Sequence, residues 1–333
     1  MQQVKWGILS TAKIAQKELL PAFSRASNAE VTAIATQSSK GKADEIAGQF
    51  QIEKVYSKYE ELLDDQEIEA VYIPLPNHLH KKWAIRAAEK GKHILCEKPA
   101  ALNAKEAEEI RAACEENHVL FMEAYMYYFH PQHERVKEII KSGEIGEVRF
   151  MRSGFSFYLG EKENSIKMSR EKGGGSLYDV GCYTIHAMRN ILQAEPELVQ
   201  AYAEMDPEYG VDTNIAGQLR FANGVRGMFD AGFDMAKRAE YEVIGTEGRI
   251  SVPRAFRPDW NGGDGLVIVE KSTISRTETI NADQYRQEVE HFSHAVLHAA
   301  KPAHTLEKTI GNMRVMDACF TSIEQQKAVE LSE

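Results

Sequence analysis

The sequence predicts an α/β chain with two domains: an amino-terminal domain of the Rossmann type and a carboxy-terminal α+β domain built on an open, mostly antiparallel sheet. Two observations predict it. In the first third, short apolar runs alternate with amphipathic segments, which is typical of βαβ units and a parallel sheet. After about residue 125, strands with period-2 alternation follow one another without helices between them, which is typical of an antiparallel sheet. This change of pattern places the domains at residues 1–123 and 124–333.

Apolar periodicity and turn residues give the elements in order. In the first domain, the predicted strands are 4–9, 31–35, 70–73, 93–96 and 119–122, and the predicted helices are 14–23, 41–50, 78–90 and 104–117. In the second domain, the predicted strands are 148–158, 198–204, 214–221, 225–233, 241–244, 266–270 and 272–280. Two helices, 284–300 and 305–327, are predicted to end the chain.

Composition and charge exclude several classes of protein. The chain has 333 residues, 43% hydrophobic and 27% charged, which suits an ordinary globular protein with two cores. The formal net charge of −10 argues against nucleic acid or an anionic membrane as the main partner. No stretch approaches the roughly 18 apolar residues of a transmembrane helix, and the amino terminus shows no signal-peptide core. The four cysteines lack metal-binding spacing, which predicts reduced thiols in a cytoplasmic protein.

The run Glu97-Lys98-Pro99 is the most informative feature, because it directly follows the predicted strand at 93–96. Open α/β folds bind their ligands at the carboxyl edge of the parallel sheet, where this lysine would project. The proline rigidifies the turn and keeps the preceding residue extended. The alternative is a solvated lysine after a strand.

The first predicted strand leads into a turn that suits a dinucleotide. Small residues are needed there so that the backbone can approach a pyrophosphate at a helix amino terminus. Gly7 would supply the tight turn, while Ser10 and Ala12 take positions usually held by glycine. A plain strand–turn–helix is the alternative. The predicted pyrophosphate-binding residues are Gly7, Ser10, Thr11, Ala12, Lys13 and Ile14.

The end of the second predicted strand indicates which cofactor is bound. An acidic residue there would accept hydrogen bonds from the ribose 2′-hydroxyl and repel a 2′-phosphate. Residues 36–42 contain no acid, and hydroxyls, an amide and lysines suit a phosphate better. We therefore expect NADP, with NAD as the alternative, although the lysines also fit a solvated helix face. The predicted selecting residues are Thr36, Gln37, Ser38 and Lys42.

Four runs carry a family resemblance: Tyr72–His80, Gly91–Pro99, Glu123–Pro131 and Gly173–Tyr183. With them, the whole chain resembles the glucose–fructose oxidoreductase / inositol dehydrogenase (Gfo/Idh/MocA) family. The resemblance implies NAD(P)-dependent oxidation of carbinols, and a sheet face that commonly forms the subunit interface. It also implies that the cofactor is contacted by Pro74, Leu75, Asn77, His80, Glu97 and Lys98.

Two positions depart from many members of that family. Tyr128 stands where many members have an arginine, and Tyr183 where many have a histidine. A tyrosine at the second position is similar to the branch that contains dimeric dihydrodiol dehydrogenases and NADP-dependent xylose dehydrogenases. The resemblance therefore points to a sugar, a polyol or a cyclic diol as substrate.

Carbinol oxidation explains why a lysine, an aspartate and a tyrosine would act together. The reaction sends a hydride to the nicotinamide and releases the hydroxyl proton to a base. A free tyrosine has a pKa of about 10, and a neighbouring ammonium lowers it by about one to three units, towards the working range. We expect Tyr183 to be the acid/base, Lys98 its charged partner and Asp179 the orienting group. A helix cap followed by a core tyrosine is the alternative for Asp179 and Tyr183.

The histidines are weaker candidates. His78 and His80 lie two residues apart and so point to different faces of a helix, and no metal site is predicted. His186 follows Tyr183 by three residues and, with Tyr127, is predicted either to line the substrate pocket or to pack in the core. The charged segment from Gly160 to Lys172 carries no pattern from which a substrate can be predicted.

The sequence thus favours an NADP-dependent oxidoreductase acting on a small carbinol. The alternative is a non-catalytic, dinucleotide-sensing regulator on the same scaffold. Retention of Lys98, Asp179 and Tyr183 favours the enzyme. A sheet with one face bare of helices must bury its apolar side, which predicts a homodimer or a higher homo-oligomer.

Overall fold

The structure, a computed structural model, describes residues 2–163 and 165–331, which form two compact units. The first unit contains the described residues up to Met126 together with Tyr285–Ile310. The second contains Tyr127–Gln284 and the described residues from Gly311 onward. The first boundary between these units lies at Met126, three residues after the predicted one. The first unit also includes Tyr285–Ile310, which the sequence pattern assigns to the second domain.

The first unit is built on a six-stranded parallel sheet with the order β3-β2-β1-β4-β5-β6. Its strands are β1 (Val4–Leu9), β2 (Ala29–Ala35), β3 (Lys54–Tyr56), β4 (Ala70–Ile73), β5 (His93–Glu97) and β6 (Phe121–Ala124). Its first helices are α1 (Leu20–Arg25), α2 (Lys40–Phe50), α3 (Tyr59–Asp64), α4 (His80–Glu89) and α5 (Ala104–Glu116). The strand order reverses between β1 and β4, where open α/β sheets bind their ligands. The predicted Rossmann fold is confirmed.

The second unit is built on a nine-stranded sheet with the order β14-β13-β12-β11-β7-β10-β9-β8-β15. Its first strands are β7 (Val148–Tyr158), β8 (Pro196–Met205), β9 (Asp212–Phe221), β10 (Arg226–Gly232) and β11 (Asp234–Gly245). The others are β12 (Arg249–Val252), β13 (Asp264–Lys271), β14 (Ile274–Asn281) and β15 (Val329–Glu330). The pair β7–β10 is parallel and the other pairs are antiparallel, as predicted for a mostly antiparallel sheet.

Four longer helices complete the chain: α6 (Gln132–Lys141), α7 (Cys182–Leu192), α8 (Gln284–His298) and α9 (Leu306–Gln325). Within the second unit, α7 packs on β7 and β10. Within the first unit, α8 returns to the parallel sheet, where Trp6 Nε1 donates to Ser293 Oγ at 3.1 Å. The rings of Trp6 and Phe292 lie 5.7 Å apart. These contacts between residues far apart in the sequence explain why no local pattern indicated the return.

The sequence did not predict β3, α3, α6, β12 and β15. The three strands are very short, and β3 is half-buried throughout its three residues, so it shows no apolar run. The helix α3 has only six residues, too few for a clear helical period. Apart from α6, which has ten residues, these elements are short, and the order of the larger predicted elements agrees with the prediction.

Two observations concern the environment of the chain. Within residues 2–163 and 165–331, no helix combines the length and apolar character needed to cross a membrane. All four cysteines are buried free thiols.

Candidate functional site: two sets of side chains

The turn after β1 has the backbone geometry of a glycine position. Ser10 has a φ of 133°, a conformation that side chains other than glycine rarely adopt. Its Oγ accepts a hydrogen bond from the Ala12 N–H (2.9 Å) and donates to the Pro74 carbonyl (3.4 Å), which follows β4. Strained backbone of this kind clusters at ligand sites. The turn therefore lies at the switch point of the sheet, as expected for a dinucleotide loop.

Gly7 does not form this turn, and that prediction was wrong. It lies inside β1, and a Cβ there would stand 2.5 Å from Leu62 Cδ2 of α3. A side chain at Gly7 would therefore require the Leu62 side chain of α3 to shift.

The helix after the turn begins with an irregular segment. Thr11 accepts a hydrogen bond from Gln16 Nε2 at 2.7 Å, and Ala15–Leu19 form a π-helical turn that continues into α1. Lys13 is exposed and Ile14 half-buried at its start. A π turn is rare and is found mostly at functional positions, and a helix start favours anions. Both features fit a pyrophosphate.

The turn after β2 presents hydroxyls and amides. Thr36 is buried, and its Oγ1 lies 3.1 Å from Ser38 Oγ and accepts the Ser38 N–H at 3.2 Å. Ser39 caps α2 by accepting the Lys42 N–H at 3.4 Å. Gln37, Ser38 and Lys42 are exposed. Exposed donors at a helix start suit a ribose phosphate.

The turn that carries Lys98 follows β5, and its Lys98–Pro99 peptide bond is cis. Glu97 accepts a hydrogen bond from the Tyr72 hydroxyl (2.5 Å) and one from the Lys98 N–H (3.3 Å). Glu123 accepts the Ala100 N–H at 2.9 Å. Carboxylates from β5 and β6 thus fix the backbone on both sides of the lysine.

His80 joins this turn to the turn after β4. Its Nδ1 lies 2.8 Å from the Pro99 carbonyl, and its Nε2 lies 2.7 Å from the Leu75 carbonyl. Burial lowers the pKa of His80 to about 4. Because both ring nitrogens face carbonyls, the imidazole is a structural tie and not a metal ligand. Nearby, Asn77 begins the short 3-10 helix Asn77–Leu79.

In the second unit, Asp179, Tyr183 and His186 stand on one continuous helix. A π-helical segment, Leu177–Gly181, carries Asp179 and runs directly into α7. Spacings of three and four residues place the three side chains on one face. Asp179 Oδ2 lies 2.5 Å from Lys167 Nζ, an ion pair that the sequence did not indicate.

The start of this helix is held by a buried carboxylate from β9. Asp212 Oδ2 accepts hydrogen bonds from Ser176 Oγ and from the Leu177 N–H, both at 2.7 Å. Burial raises the pKa of Asp212 to about 6. Gly175 has a φ of 117°, and a side chain there would collide with Asp212 Oδ1. Asp212 therefore fixes the end of the helix nearest to Asp179.

Tyr183 is surrounded by aromatic rings. It is 5% exposed, and its ring lies 5.8 Å from Tyr127, 5.4 Å from Phe155 and 5.7 Å from Phe256. Phe155 and Phe256 stack at 5.3 Å, with 7° between their planes. A phenol in such surroundings is held in one orientation. The two phenylalanines were missed, because apolar residues in strand and loop patterns predict only a core.

Tyr127 and His186 support Tyr183 from within the same unit. The Tyr127 hydroxyl and His186 Nδ1 form a short hydrogen bond, and the two residues are 0% and 2% exposed. Burial raises the pKa of Tyr127 well above its ordinary value. The structure shows these residues as packed neighbours, and their predicted contact with substrate stays a prediction.

Trp260 is a further aromatic residue that the sequence did not single out. It lies on the short helix Pro258–Asn261, is 39% exposed and meets Phe155 edge-on at 6.4 Å. Lys237 Nζ and the Arg257 guanidinium lie 3.1 Å and 4.7 Å from its ring. The run at 257–260 shows Arg257 close to Trp260 in sequence, whereas the contact with Lys237 could not be read from it.

No metal centre emerges from these side chains. Among residues 2–163 and 165–331, no cluster of three or more His, Cys, Asp or Glu side chains has the arrangement that could hold a metal ion.

Comparison with protein families gives two matches that together cover most of the chain. Residues 4–125 match the model of an oxidoreductase family with an NAD-binding Rossmann fold, and residues 133–251 match the GFO/IDH/MocA C-terminal domain. The first match covers all six strands of the parallel sheet, and the second covers the nine-stranded sheet from β7 into β12.

Individual relatives agree with the family models. A D-xylose 1-dehydrogenase (NADP(+)) from Haloferax volcanii is 38% identical over 98% of this chain and 99% of its own length. A trans-1,2-dihydrobenzene-1,2-diol dehydrogenase from Xenopus tropicalis is 31% identical over 75% of each chain. The crystal structure of a 3-ketoreductase from Actinomadura kijaniata, in complex with NADP and TDP-benzene, is similar with a TM-score of 0.91, at 31% identity, over 97% of this chain and 98% of that one.

Proposed function

Because the chain belongs to the Gfo/Idh/MocA family of oxidoreductases, we propose that it transfers a hydride between NADP and a carbinol of a sugar, a polyol or a cyclic diol. The observation that carries this proposal is the helix of the second unit. It places Asp179 and Tyr183 one turn apart and holds the phenol among aromatic rings. The relatives named as xylose and dihydrodiol dehydrogenases support the substrate class.

The residues of the first unit fit NADP. The glycine-like backbone of Ser10 leaves room for a pyrophosphate beside a helix start. Hydroxyls and exposed lysines, with no carboxylate between residues 36 and 42, suit the 2′-phosphate. We propose that these residues, with Pro74, Leu75, Asn77 and Glu97 around the nicotinamide, hold the cofactor, and that His80 contributes by tying the turns after β4 and β5 together. When bound, the cofactor would supply the hydride acceptor or donor.

Tyr183 is the proposed acid/base. In the oxidative direction its phenolate takes the carbinol proton, and in the reductive direction the phenol returns a proton to the carbonyl oxygen. Lys98 is the proposed ammonium that stabilises the phenolate and donates a hydrogen bond to the substrate oxygen. Asp179 keeps the reacting groups oriented. In this scheme Tyr183 transfers the carbinol proton, and Lys98 binds the substrate oxygen.

A non-catalytic, dinucleotide-sensing regulator is the second function considered. Its scaffold would be the same, but a sensor has no need of an acid/base residue held in one orientation. The packed Tyr183, the paired Asp179 and the dehydrogenases among the relatives favour catalysis.

A substrate panel tests the proposal. D-xylose, D-glucose, myo-inositol and trans-1,2-cyclohexanediol are each offered with NADP and with NAD, and the absorbance of the reduced cofactor is followed. We expect turnover with at least one carbinol, faster with NADP. NADP binding in calorimetry without turnover in either direction would support the regulator.

We also propose that the chain forms a homodimer through the exposed face of the nine-stranded sheet. Tyr202 of β8 and Met228 of β10 are 62% and 55% exposed on strands that otherwise alternate. Ion pairs such as Arg152–Glu242 (2.8 Å) lie on the neighbouring strands. Apolar and charged groups mixed in this way suit a self-complementary contact. Light scattering at micromolar concentration should give twice the chain mass, and a strictly monomeric protein would contradict this proposal.

The cytoplasm is the proposed location. The support is chemical: four buried free thiols suit a reducing compartment. Fractionation of cells that express the chain would test it.

A further inference from the structure

The segment before the Gly173-Gly174-Gly175 run carries a lysine that reaches the proposed acid/base helix. Lys167 lies on the short 3-10 helix Ile166–Met168, and its Nζ lies 2.5 Å from Asp179 Oδ2. The two side chains are 34% and 19% exposed, so the pair is partly withdrawn from water. The proposed function uses Asp179 but gives Lys167 no part.

Glycines fix the backbone of Lys167. The Gly175 N–H donates to the Lys167 carbonyl, and the Gly174 N–H donates to the Ser169 carbonyl, both at 2.8 Å. A Cβ on Gly174 would stand 2.5 Å from the Lys167 carbonyl oxygen, so any other residue there would push the segment away. The glycine run is therefore explained by the close docking of the Lys167 segment onto the start of the helix.

This ion pair differs from an ordinary surface pair. Exposed pairs contribute little, because two flexible side chains must be ordered and water screens their charges. Here Asp179 is held by a helix that Asp212 anchors, and Lys167 is held by the glycines. Lys167 Nζ also lies 5.4 Å from the centre of the Phe157 ring, which limits its motion. The ammonium is thus pre-placed on the carboxylate.

We propose that Lys167 is a positioning residue of the proton-transfer site and acts through Asp179. Its ammonium compensates the Asp179 charge and fixes the carboxylate one turn from Tyr183. Without that ammonium, the Asp179 carboxylate would keep more of its negative charge near the phenol, and it would disfavour the phenolate that accepts the carbinol proton. The inference rests on the proposed function, which gives Asp179 and Tyr183 their roles.

The test compares two lysines of the same segment. Lys167→Met removes the ammonium and keeps the chain length, while Lys167→Arg restores a cation. Lys162→Met is the matched control, because Lys162 pairs with Asp206 at 2.9 Å, outside the helix of Tyr183. Each variant is assayed with NADP and the fastest carbinol of the panel across pH, and its NADP affinity and thermal midpoint are measured. Should Lys167→Met unfold, Lys167→Gln serves as the second neutral variant.

We expect Lys167→Met to lower kcat at least tenfold and to move the rising limb of the kcat/KM profile to higher pH. NADP affinity should stay within about twofold, and Lys167→Arg should recover most of the turnover. Added to Asp179→Asn, Lys167→Met should cost less than a further twofold, because it acts through that carboxylate. Lys162→Met should match the wild type in kcat and in pH profile.

A Lys167→Met enzyme whose kcat and pH limb equal those of Lys162→Met would overturn the positioning role. Tyr183→Phe, assayed in parallel, separates this failure from that of the proposed function. If Tyr183→Phe loses turnover while Lys167→Met keeps it, only the role of Lys167 is lost. If Tyr183→Phe keeps turnover, Tyr183 is not the acid/base, and the positioning role of Lys167 is contradicted as well.

Discussion

The two units hold their functional groups in different ways. In the first, these groups lie in turns that follow β1, β2 and β5, and much of the restraint is local, as with the Ser10 hydroxyl that bonds the Ala12 N–H. In the second, Asp179 and Tyr183 stand on a helix that Asp212 and Lys167 hold from other parts of the chain. The difference teaches that the turns after β1 and β2 rest partly on local hydrogen bonds, whereas the turn that carries Lys98 and the helix that carries Tyr183 both depend on distant partners.

The largest expected effect comes from removing the proposed acid/base. Tyr183→Phe should lower kcat at least a hundredfold, about 2.7 kcal/mol, because the carbinol proton loses its acceptor. NADP affinity should stay within about twofold, since the phenol belongs to the second unit and is proposed to contact substrate. Stopped-flow kinetics and calorimetry measure the two quantities. A loss of cofactor affinity as large as the loss of turnover would contradict the proposal that Tyr183 contacts the substrate and not the cofactor.

The free energy of unfolding should depend on pH in opposite directions through His80 of the first unit and Asp212 of the second. Burial lowers the pKa of His80 to about 4, so its contribution is fully present above pH 6.5 and is lost as pH falls towards 4. Burial raises the pKa of Asp212 to about 6, so its contribution is fully present below about pH 4 and is lost as pH rises through 6. Each contribution should be of the order of 3 kcal/mol.

Urea unfolding between pH 4 and 7 checks this pair of predictions. Relative to the wild type, Asp212→Asn should gain stability more steeply as pH rises, because only the opposing His80 contribution remains. His80→Gln should change in the opposite direction. Parallel curves for the wild type and both variants would show that neither group titrates as described.

Cofactor choice should change by a smaller amount. Lys42→Glu places a carboxylate in the first turn of α2, where it would repel a 2′-phosphate and accept a ribose hydroxyl. The preference for NADP over NAD should fall about tenfold, about 1.4 kcal/mol, and the wild-type preference should weaken with salt. Lys301→Glu makes the same charge change at another exposed position of the first unit and should leave the preference unaltered. Tighter NAD binding by the wild type would refute the basis of this prediction.

The smallest effect is expected at Ser10. Ser10→Gly relieves the backbone strain and loses two hydrogen bonds, so the free energy of unfolding should stay within about 1 kcal/mol of the wild type. Ser10→Ala keeps the strain and loses the bonds, and should be less stable than Ser10→Gly by about 1 kcal/mol. Thermal unfolding of the two variants measures the difference. The reverse order would mean that the turn is not strained.

The sequence alone predicted the fold and the positions of the turns. The apolar run at Val4–Leu9 matches β1, and the turn at Ser10 carries the glycine-like backbone expected there. Period-2 alternation likewise predicted long strands such as β7. The strand β12 went unseen because its alternation extends over only four residues.

The supports of the site could not be predicted from sequence, because they depend on side chains that are far apart along the chain. Asp212 and Leu177 are separated by 35 residues, and His80 and Pro99 by 19. Gly7 was misassigned for the same reason, since the Leu62 side chain that needs the space belongs to a helix too short to be recognised. Local patterns locate a functional residue, and the fold determines what holds it.

We propose above all that Lys98 and Tyr183 act as one proton-transfer pair. A double-mutant cycle on kcat, with Lys98→Ala, Tyr183→Phe and the combined variant, tests it most directly. We expect each single change to cost at least a hundredfold and the combined variant to lose little beyond the worse single one, because each residue needs the other. Additive losses, or a Tyr183→Phe enzyme with near-normal turnover, would contradict the claim.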